Sequence, residues 1–365
     1  MSKQSKTPDD SANNFLVGVV GFGEGWHNNH HAFPYSARLG LRWYELDTSW
    51  WVIRLLQRLG LATQVRTPKL SEQEGKQVAH PGEPQTACST ELGATIDWSA
   101  AAVVLLMHVG AAAALFWWNG PALLVTAFLY WVTGGLGIDV GYHRLLSHRS
   151  FRPQKWLEYF LAVCGTLALE GGPLAWAATH RRHHAYTDRP GDPHSPRDGF
   201  WWAHVSWVYT GAALHNDTTT TLRYVPYLAH DRFYIGLTRW HFVPTCLLSV
   251  LLYALGEWPM VLCGICLRVV CCWHGTWLVN SVGHRWGRRR FPTRDDSRNC
   301  WWVALISFGG GWHNNHHAYP ASARHGLAWY ELDLGWWVIR TLSVLRLAKE
   351  IRLTTLRQSR REAQF

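Results

Sequence analysis

The sequence predicts an all-α integral membrane protein: four transmembrane helices in two hairpins, with a cytoplasmic helical cap holding a histidine-rich di-metal site. Three observations predict it. Hydrophobic residues make up 48% of the 365 and charged ones only 16%, with 24 tryptophans and a net charge of +10. An ordinary soluble domain carries about 25% charged residues, and Trp concentrates at membrane interfaces. Four apolar stretches approach the roughly 20 residues a bilayer core requires. Most of the 21 histidines fall in short clusters, and clustering is what a metal site requires.

Residues 1–14, MSKQSKTPDDSANN, are polar and contain an acidic pair. They are not expected to act as a signal peptide and are expected to be disordered. Residues 15–67 carry a duplication. Residues 22–62 align with 308–348 at a constant offset of 286, with 30 identities in 41 positions and no gap. The octapeptide GWHNNHHA at Gly25–Ala32 returns at Gly311–Ala318, and WYELD at Trp43–Asp47 returns at Trp329–Asp333. Nothing else in the chain is repeated, so a solenoid is excluded; one C-terminal segment has been copied to the front. Leu41–Leu61 alternates Trp, Tyr and Leu with Arg and is expected to form an amphipathic surface helix. Residues 68–95, rich in Pro, Gly, Ser and Glu, read as a flexible linker. A complete domain is then expected over 96–365.

Within it, Trp98–Trp118 and Ala122–Tyr142 form a predicted hairpin around Asn119-Gly120-Pro121. Trp240–Leu255, expected to begin a little before Trp240, and Pro259–Val282 form a second around Gly256-Glu257. Tyr159–Leu169 is too short to span and reads as interfacial or re-entrant. The hairpin turns carry no Lys or Arg, whereas Arg144–Lys155, Arg181–Arg197, Arg285–Arg298 and Arg340–Arg361 are basic. The positive-inside rule places these segments, and both termini, on the cytoplasmic side. Arg268, inside the fourth stretch, is expected to snorkel, to pair, or to face an internal tunnel.

Of eight cysteines, Cys164, Cys246, Cys263, Cys266, Cys271 and Cys272 sit in apolar runs. They are expected to be buried thiols, with no disulfide framework. His108, His204, His215, His230 and His241 stand singly and read as packing or surface residues.

Four boxes remain: HRLLSH (His143, His148), HRRHH (His180, His183, His184), NSVGH (Asn280, His284) and HNNHH (His313, His316, His317). Helical spacing lets His180 point with His183 and His184, and His313 with His316 and His317. His143 and His148 are five apart and require a local bend, or ligands approaching from two sides. Nine imidazoles exceed what one ion takes and suit two ions with four or five ligands each. The spacing leaves Fe, Zn, Cu and Ni open. HExxH is absent, which disfavours a zinc metalloprotease. Absence of Glu-x-x-His disfavours a soluble carboxylate-bridged di-iron bundle.

The segments GYHRLLSHRSF, HRRHHAYTDRPGDPHSPRDGFWW, WLVNSVGHRWG and GWHNNHHAYP occur in that order. Together they resemble the membrane fatty-acid desaturases, in the group that includes acyl-CoA and bacterial acyl-lipid Δ9 desaturases. The resemblance covers roughly residues 96–365. It implies two Fe ions held by His143, His148, His180, His183, His184, His284, His313, His316 and His317, with Asn280 reaching one iron through a water. It also implies O2-dependent formation of a cis double bond in an acyl-CoA or acyl-lipid substrate. Electrons would come from ferredoxin or cytochrome b5, and the membrane would be the bacterial inner membrane. No nucleic-acid partner is expected. A glutamate usual before the last box is Gly310 here, while the N-terminal copy keeps Glu24. A related hydroxylase and a histidine-rich metal transporter are the alternatives.

The copy holds one box of four, so His27, His30 and His31 cannot make a second complete site. Residues 15–67 are expected to be a non-catalytic fragment of a second such enzyme. The sharper alternative is that their histidines compete for, or replace, the C-terminal box.

Overall fold

The computed structural model describes residues 12–14, 25–33, 36–41, 45–59, 61–63, 65, 67–68, 96–210 and 223–354. Most of the 1–14 and 68–95 segments lies outside these residues, as does His215. The chain divides into two compact units, Met1–Thr86 and Ala87–Phe365, each described by itself.

The first unit contains the helices His27–Ala32 and Thr48–Arg58. The second is shorter than the expected Leu41–Leu61 helix because Asp47 caps it, accepting the Trp50 amide at 2.9 Å. This helix buries no side chain and leaves Trp51, Val52, Leu55 and Leu59 exposed. Asn13 holds the other helix, its Oδ1 accepting the amides of Asn28 (2.9 Å) and Asn29 (3.2 Å).

The second unit is mostly helical. Asp97 opens the Trp98–Ala114 helix by accepting the amides of Ser99 and Ala100. Asn119 opens the next, with Pro121 in its first turn, where a missing amide costs nothing. That helix runs Gly120–Ser147, and from Trp131 its hydrogen bonds widen to the i→i+5 spacing of a π-helix. The last apolar helix, Val243–Ser281, is broken at Gly256 and Glu257, the latter at φ 55°. The chain doubles back there, because Leu252 packs against Ile265 and Leu129. Gly120–Ser147 and Val243–Ser281 are long and apolar enough to cross a membrane.

Leu105, Leu124, Leu247 and Val250 stand outward and exposed on these arms, as lipid-facing residues do. Phe116, Trp117 and Trp118 by the first reversal and Trp258 by the second are exposed, an arrangement that suits an interfacial aromatic belt. The third arm starts at Val243 rather than before Trp240. Asp231 caps a separate helix, Arg232–Arg239, whose helical backbone ends at Trp240.

The short apolar segment forms the helix Lys155–Thr166 against the Gly120–Ser147 helix. Only glycine serves at the crossing: a Cβ on Gly137 would lie 2.5 Å from the Cys164 carbonyl carbon and the Gly165 nitrogen. Arg268 neither snorkels nor stays free. It is wholly buried and donates to the Gly264 carbonyl (2.7 Å), Thr133 Oγ1 (2.7 Å) and the Leu167 carbonyl (2.9 Å), tying the last arm to its neighbours.

The described cysteines are free thiols, but Cys246 and Cys271 are exposed rather than buried. The C-terminal helix Leu334–Val344, capped by Asp333, packs on Gly120–Ser147. Beyond it, Ala348–Lys349 pairs antiparallel with Arg152–Pro153. The core gathers between these elements around Tyr142, Leu161, Tyr234 and Ile339.

Candidate metal centre

The HRLLSH pair is brought together by the wide helix. The amide of His148 donates to the carbonyl of His143 at 3.1 Å, an i→i+5 closure that sets the two rings 5.0 Å apart. The expected bend is thus a π-type turn, which brings a five-residue step back over itself. Pro173–Tyr186 carries His180, His183 and His184; His284 follows the end of the Val243–Ser281 helix; His313–Ala318 carries the last three.

The nine rings form two groups. His143, His148, His180, His184 and His316 make one, and His183, His284, His313 and His317 the other, with candidate ligand atoms within 4.8 Å of one another in each. In the first, Nε2 atoms converge: His143 to His316 at 3.1 Å, His148 to His180 at 2.8 Å, His184 to His316 at 2.9 Å. In the second, Nε2 of His284 lies 2.9 Å from that of His313. The boxes do not each serve one group, as a shared face implied. The i,i+4 pairs His180/His184 and His313/His317 stay together, while the i+3 members His183 and His316 go to the opposite group. Successive residues on a helix diverge by about 100°, so His183 and His184 face different ways.

Carboxylates orient three of the four rings of the second group, and His313 Nδ1 is buried without a hydrogen-bond partner. His183 Nδ1 lies 2.9 Å from Asp192, His284 Nδ1 2.9 Å from Asp188, and His317 Nδ1 3.1 Å from Asp295. Such partners hold the proton on Nδ1, direct Nε2 at a metal and raise ligand basicity. In the first group the nearest such contact is looser, His143 Nδ1 to Asp139 at 3.9 Å. Burial, then mutual repulsion, keeps His180, His184, His313 and His316 well below the usual imidazole range, and burial lowers His317 to about 4. Neutral imidazole is the ligating form. Burial also works against the charge on His284, but Asp188 outweighs it and raises that ring.

Sequence reasoning missed Asp188, Asp192, Asp295, His194 and His325. Two aspartates soon after HRRHH, in the stretch TDRPGDPH, were the available signal. His194 lies against His183, ring centres 4.4 Å apart. The solitary histidines pack as expected where described. His108, His274 and His204 form a hydrogen-bonded chain ending on Ser281, and His241 lies 3.0 Å from the Thr238 carbonyl.

Asn280 and His180 share the wall of a cavity of about 310 Å³ with apolar residues including Val104, Leu169 and Trp273. A smaller cavity of about 60 Å³ joins Asn280, His143, His313 and Gly310. A Cβ on Gly310 would meet Ser307 at 3.1 Å and Val279 at 3.3 Å, so a glutamate would crowd this wall.

The N-terminal copy keeps its own box in the same form. His27 and His31 ring centres are 4.4 Å apart, against 4.3 Å for His313 and His317. His27 and His31 are exposed, whereas His313 and His316 are buried.

Apolar arms and two imidazole groups beside a greasy cavity define a membrane metalloprotein with a histidine-rich metal site. The sequence pattern of the family described as "Fatty acid desaturase" matches residues 117–348. The sn-1 stearoyl-lipid 9-desaturase of Anabaena variabilis is 45% identical over 72% of this chain and 96% of its own length. The sn-2 palmitoyl-lipid 9-desaturase of Nostoc sp. (strain 36) is 48% identical over 65% of this chain and 82% of its own. A chloroplastic palmitoyl-monogalactosyldiacylglycerol delta-7 desaturase of Arabidopsis thaliana is 44% identical over 73% and 72%. The chain belongs to the fatty acid desaturase family, and it is an enzyme of lipid metabolism.

Proposed function

We propose that the chain is an O2-dependent acyl-lipid Δ9 desaturase, forming a cis double bond with two iron ions and two external electrons. The observation that carries this reading is the meeting of a five-imidazole and a four-imidazole group at one small cavity, lined by His143, His180 and His313, with a larger apolar cavity reaching His180. The lipid substrate and the 9 position follow the cyanobacterial relatives at 45% and 48% identity.

The donor set fits two irons. Imidazole accepts iron, burial favours the neutral form of His180, His184, His313, His316 and His317, and Nε2 of His183 and of His317 is buried without a protein partner. One ion would be held by His143, His148, His180, His184 and His316. The other would be held by His183, His284, His313 and His317, with Asn280 acting through a water. Iron, when bound, supplies the oxidising power that an unactivated C–H bond demands, since no acid–base group can attack it.

The residues do the rest. Asp188, Asp192 and Asp295 hold ring tautomers. The cavity between Val104, Leu169 and Trp273 takes an acyl chain out of water and leads it toward His180 and Asn280. The four apolar arms are read as four spans. The basic segments and both termini then face the cytoplasm, and the membrane is the bacterial inner membrane. Exposed Arg288, Arg289 and Arg294 would steer an acidic donor such as ferredoxin or cytochrome b5. Residues 15–67 are read as a non-catalytic duplicate ahead of the complete domain at 96–365.

The test is expression of the full chain in a host lacking unsaturated fatty acids, followed by mass spectrometry of double-bond position. New Δ9 alkenes in membrane lipid are expected. No alkene with iron, O2 and donor supplied would overturn the reading, and hydroxy acids would move it to a hydroxylase.

A further inference from the structure

The duplication supplies an internal control. Leu39 of the copy corresponds to His325 at the 286-residue offset. The backbone of each does the same work. The Leu39 carbonyl accepts from Asn29 Nδ2 at 3.0 Å, and the His325 carbonyl from Asn315 Nδ2 at 2.8 Å. The Leu39 amide donates to Asp47 at 2.7 Å, and the His325 amide to Asp333 at 2.6 Å. The local fold therefore runs on the main chain, and a leucine satisfies it. The imidazole at 325 has another reason to be there.

Its surroundings point to one. His325 is only 1% exposed, yet neither ring nitrogen has a hydrogen-bond partner. His316 Nδ1 is orphaned in the same way, and Asp139 Oδ2, though the Arg144 guanidinium lies 3.1 Å from it, makes no hydrogen bond. The His325 and His316 ring centres are 4.6 Å apart, and ligand atoms of Asp139, His143 and His325 lie within 4.8 Å of one another. Buried polar groups left unpaired are costly and call for an explanation. A ligating histidine almost always donates its second N–H. In the four-imidazole group, Asp188, Asp192 and Asp295 take that proton from three of the four rings. His316, like His313, shows no such acceptor, but only His316 has a second buried, unpartnered imidazole against it.

We propose that His325 is a positioning residue for the five-imidazole group. It accepts the Nδ1–H of His316 and passes its own N–H to Asp139, directly or through a water. The Asp139–His325–His316 line thereby holds His316 with Nε2 free for metal. The inference rests on the metal centre proposed above.

The experiment compares wild type, His325→Leu and His325→Gln in the full chain. Metal-free protein is titrated with Co2+, the Fe2+-loaded form is examined by Mössbauer spectroscopy, and alkene yield is measured in cells. His325→Leu should fold, as the copy folds with Leu39. It should lose about tenfold or more in affinity at one of two Co2+ steps and shift the signal of one iron only. His325→Gln, which can still accept and donate, should recover part of both. An unchanged titration and spectrum in His325→Leu would overturn the proposal. So would failure of that variant to fold, since the imidazole would then be structural. Metal readouts do not need turnover, so a wild type that loads iron but makes no alkene would sink the desaturase reading while leaving this one decided by the spectra.

Discussion

Arg144 Nη2 lies 2.7 Å from Asp333 Oδ1, and both side chains are buried. The same guanidinium meets Asp139 at 3.1 Å and donates to the Ala323 carbonyl at 2.6 Å. One cation inside the first histidine box thus clasps the start of the Leu334–Val344 helix. Asp333 in turn accepts the amides of His325, Gly326 and Trp336. Removing one partner of a buried, hydrogen-bonded pair costs roughly 3–5 kcal/mol, because the other charge stays buried and uncompensated. Asp333→Ala should therefore lower stability by about that amount, read from denaturant unfolding in detergent. A change within about 0.5 kcal/mol, the range of ordinary surface substitutions, would contradict the clasp.

The carboxylates around the four-imidazole group predict a selective metal phenotype. Asp188→Asn and Asp295→Asn should each weaken one metal equivalent about 10- to 100-fold, leaving the other in place. Elemental analysis after graded chelation reads this directly. Equal loss of both equivalents would mean that the aspartates serve the fold rather than one group.

Acid should destabilise the metal-free chain. Free imidazoles titrate near about 6.5, while burial holds His180, His184, His313 and His316 well below that and His317 at about 4. Below about 6.5 the unfolded chain binds more protons than the folded one, so stability falls with falling pH. His284 acts oppositely: Asp188 raises it against burial, so its contribution is present in acid and fades as pH rises through its folded value. Five lowered rings against one raised give a net loss, and the melting temperature should drop from about pH 7 to about pH 5. A flat profile would show that the rings are not held neutral.

The N-terminal copy makes the fourth prediction. His30→Ala and His31→Ala should leave alkene yield unchanged if residues 15–67 are a passive duplicate. A clear fall in yield would favour the competing reading, in which these histidines compete for, or replace, the C-terminal box.

Much of this molecule is written locally. Apolar length announced the arms, Asn119-Gly120-Pro121 and Gly256-Glu257 marked the reversals, and i,i+3,i+4 spacing marked the ligand helices. These signals are legible because each depends on neighbours along the chain. The duplicated box was legible for the same reason, down to GWHNNHHA itself.

What proximity in space decides was not. His183 and His184 are adjacent in sequence yet enter different groups, since their directions diverge around the helix and only packing shows what lies in each. The five-residue step from His143 to His148 asked for a bend or a two-sided approach, and only the structure shows that it is a π-type turn. Asp188, Asp192 and Asp295 are common residues whose meaning comes from the imidazole opposite them. His325 reads as one more histidine until its ring is found buried between Asp139 and His316. The sequence by itself determined the clustered histidines and the apolar scaffold, because composition and periodicity act over a few residues. Only the tertiary structure divided nine rings into five and four, because that division depends on which faces of distant helices meet.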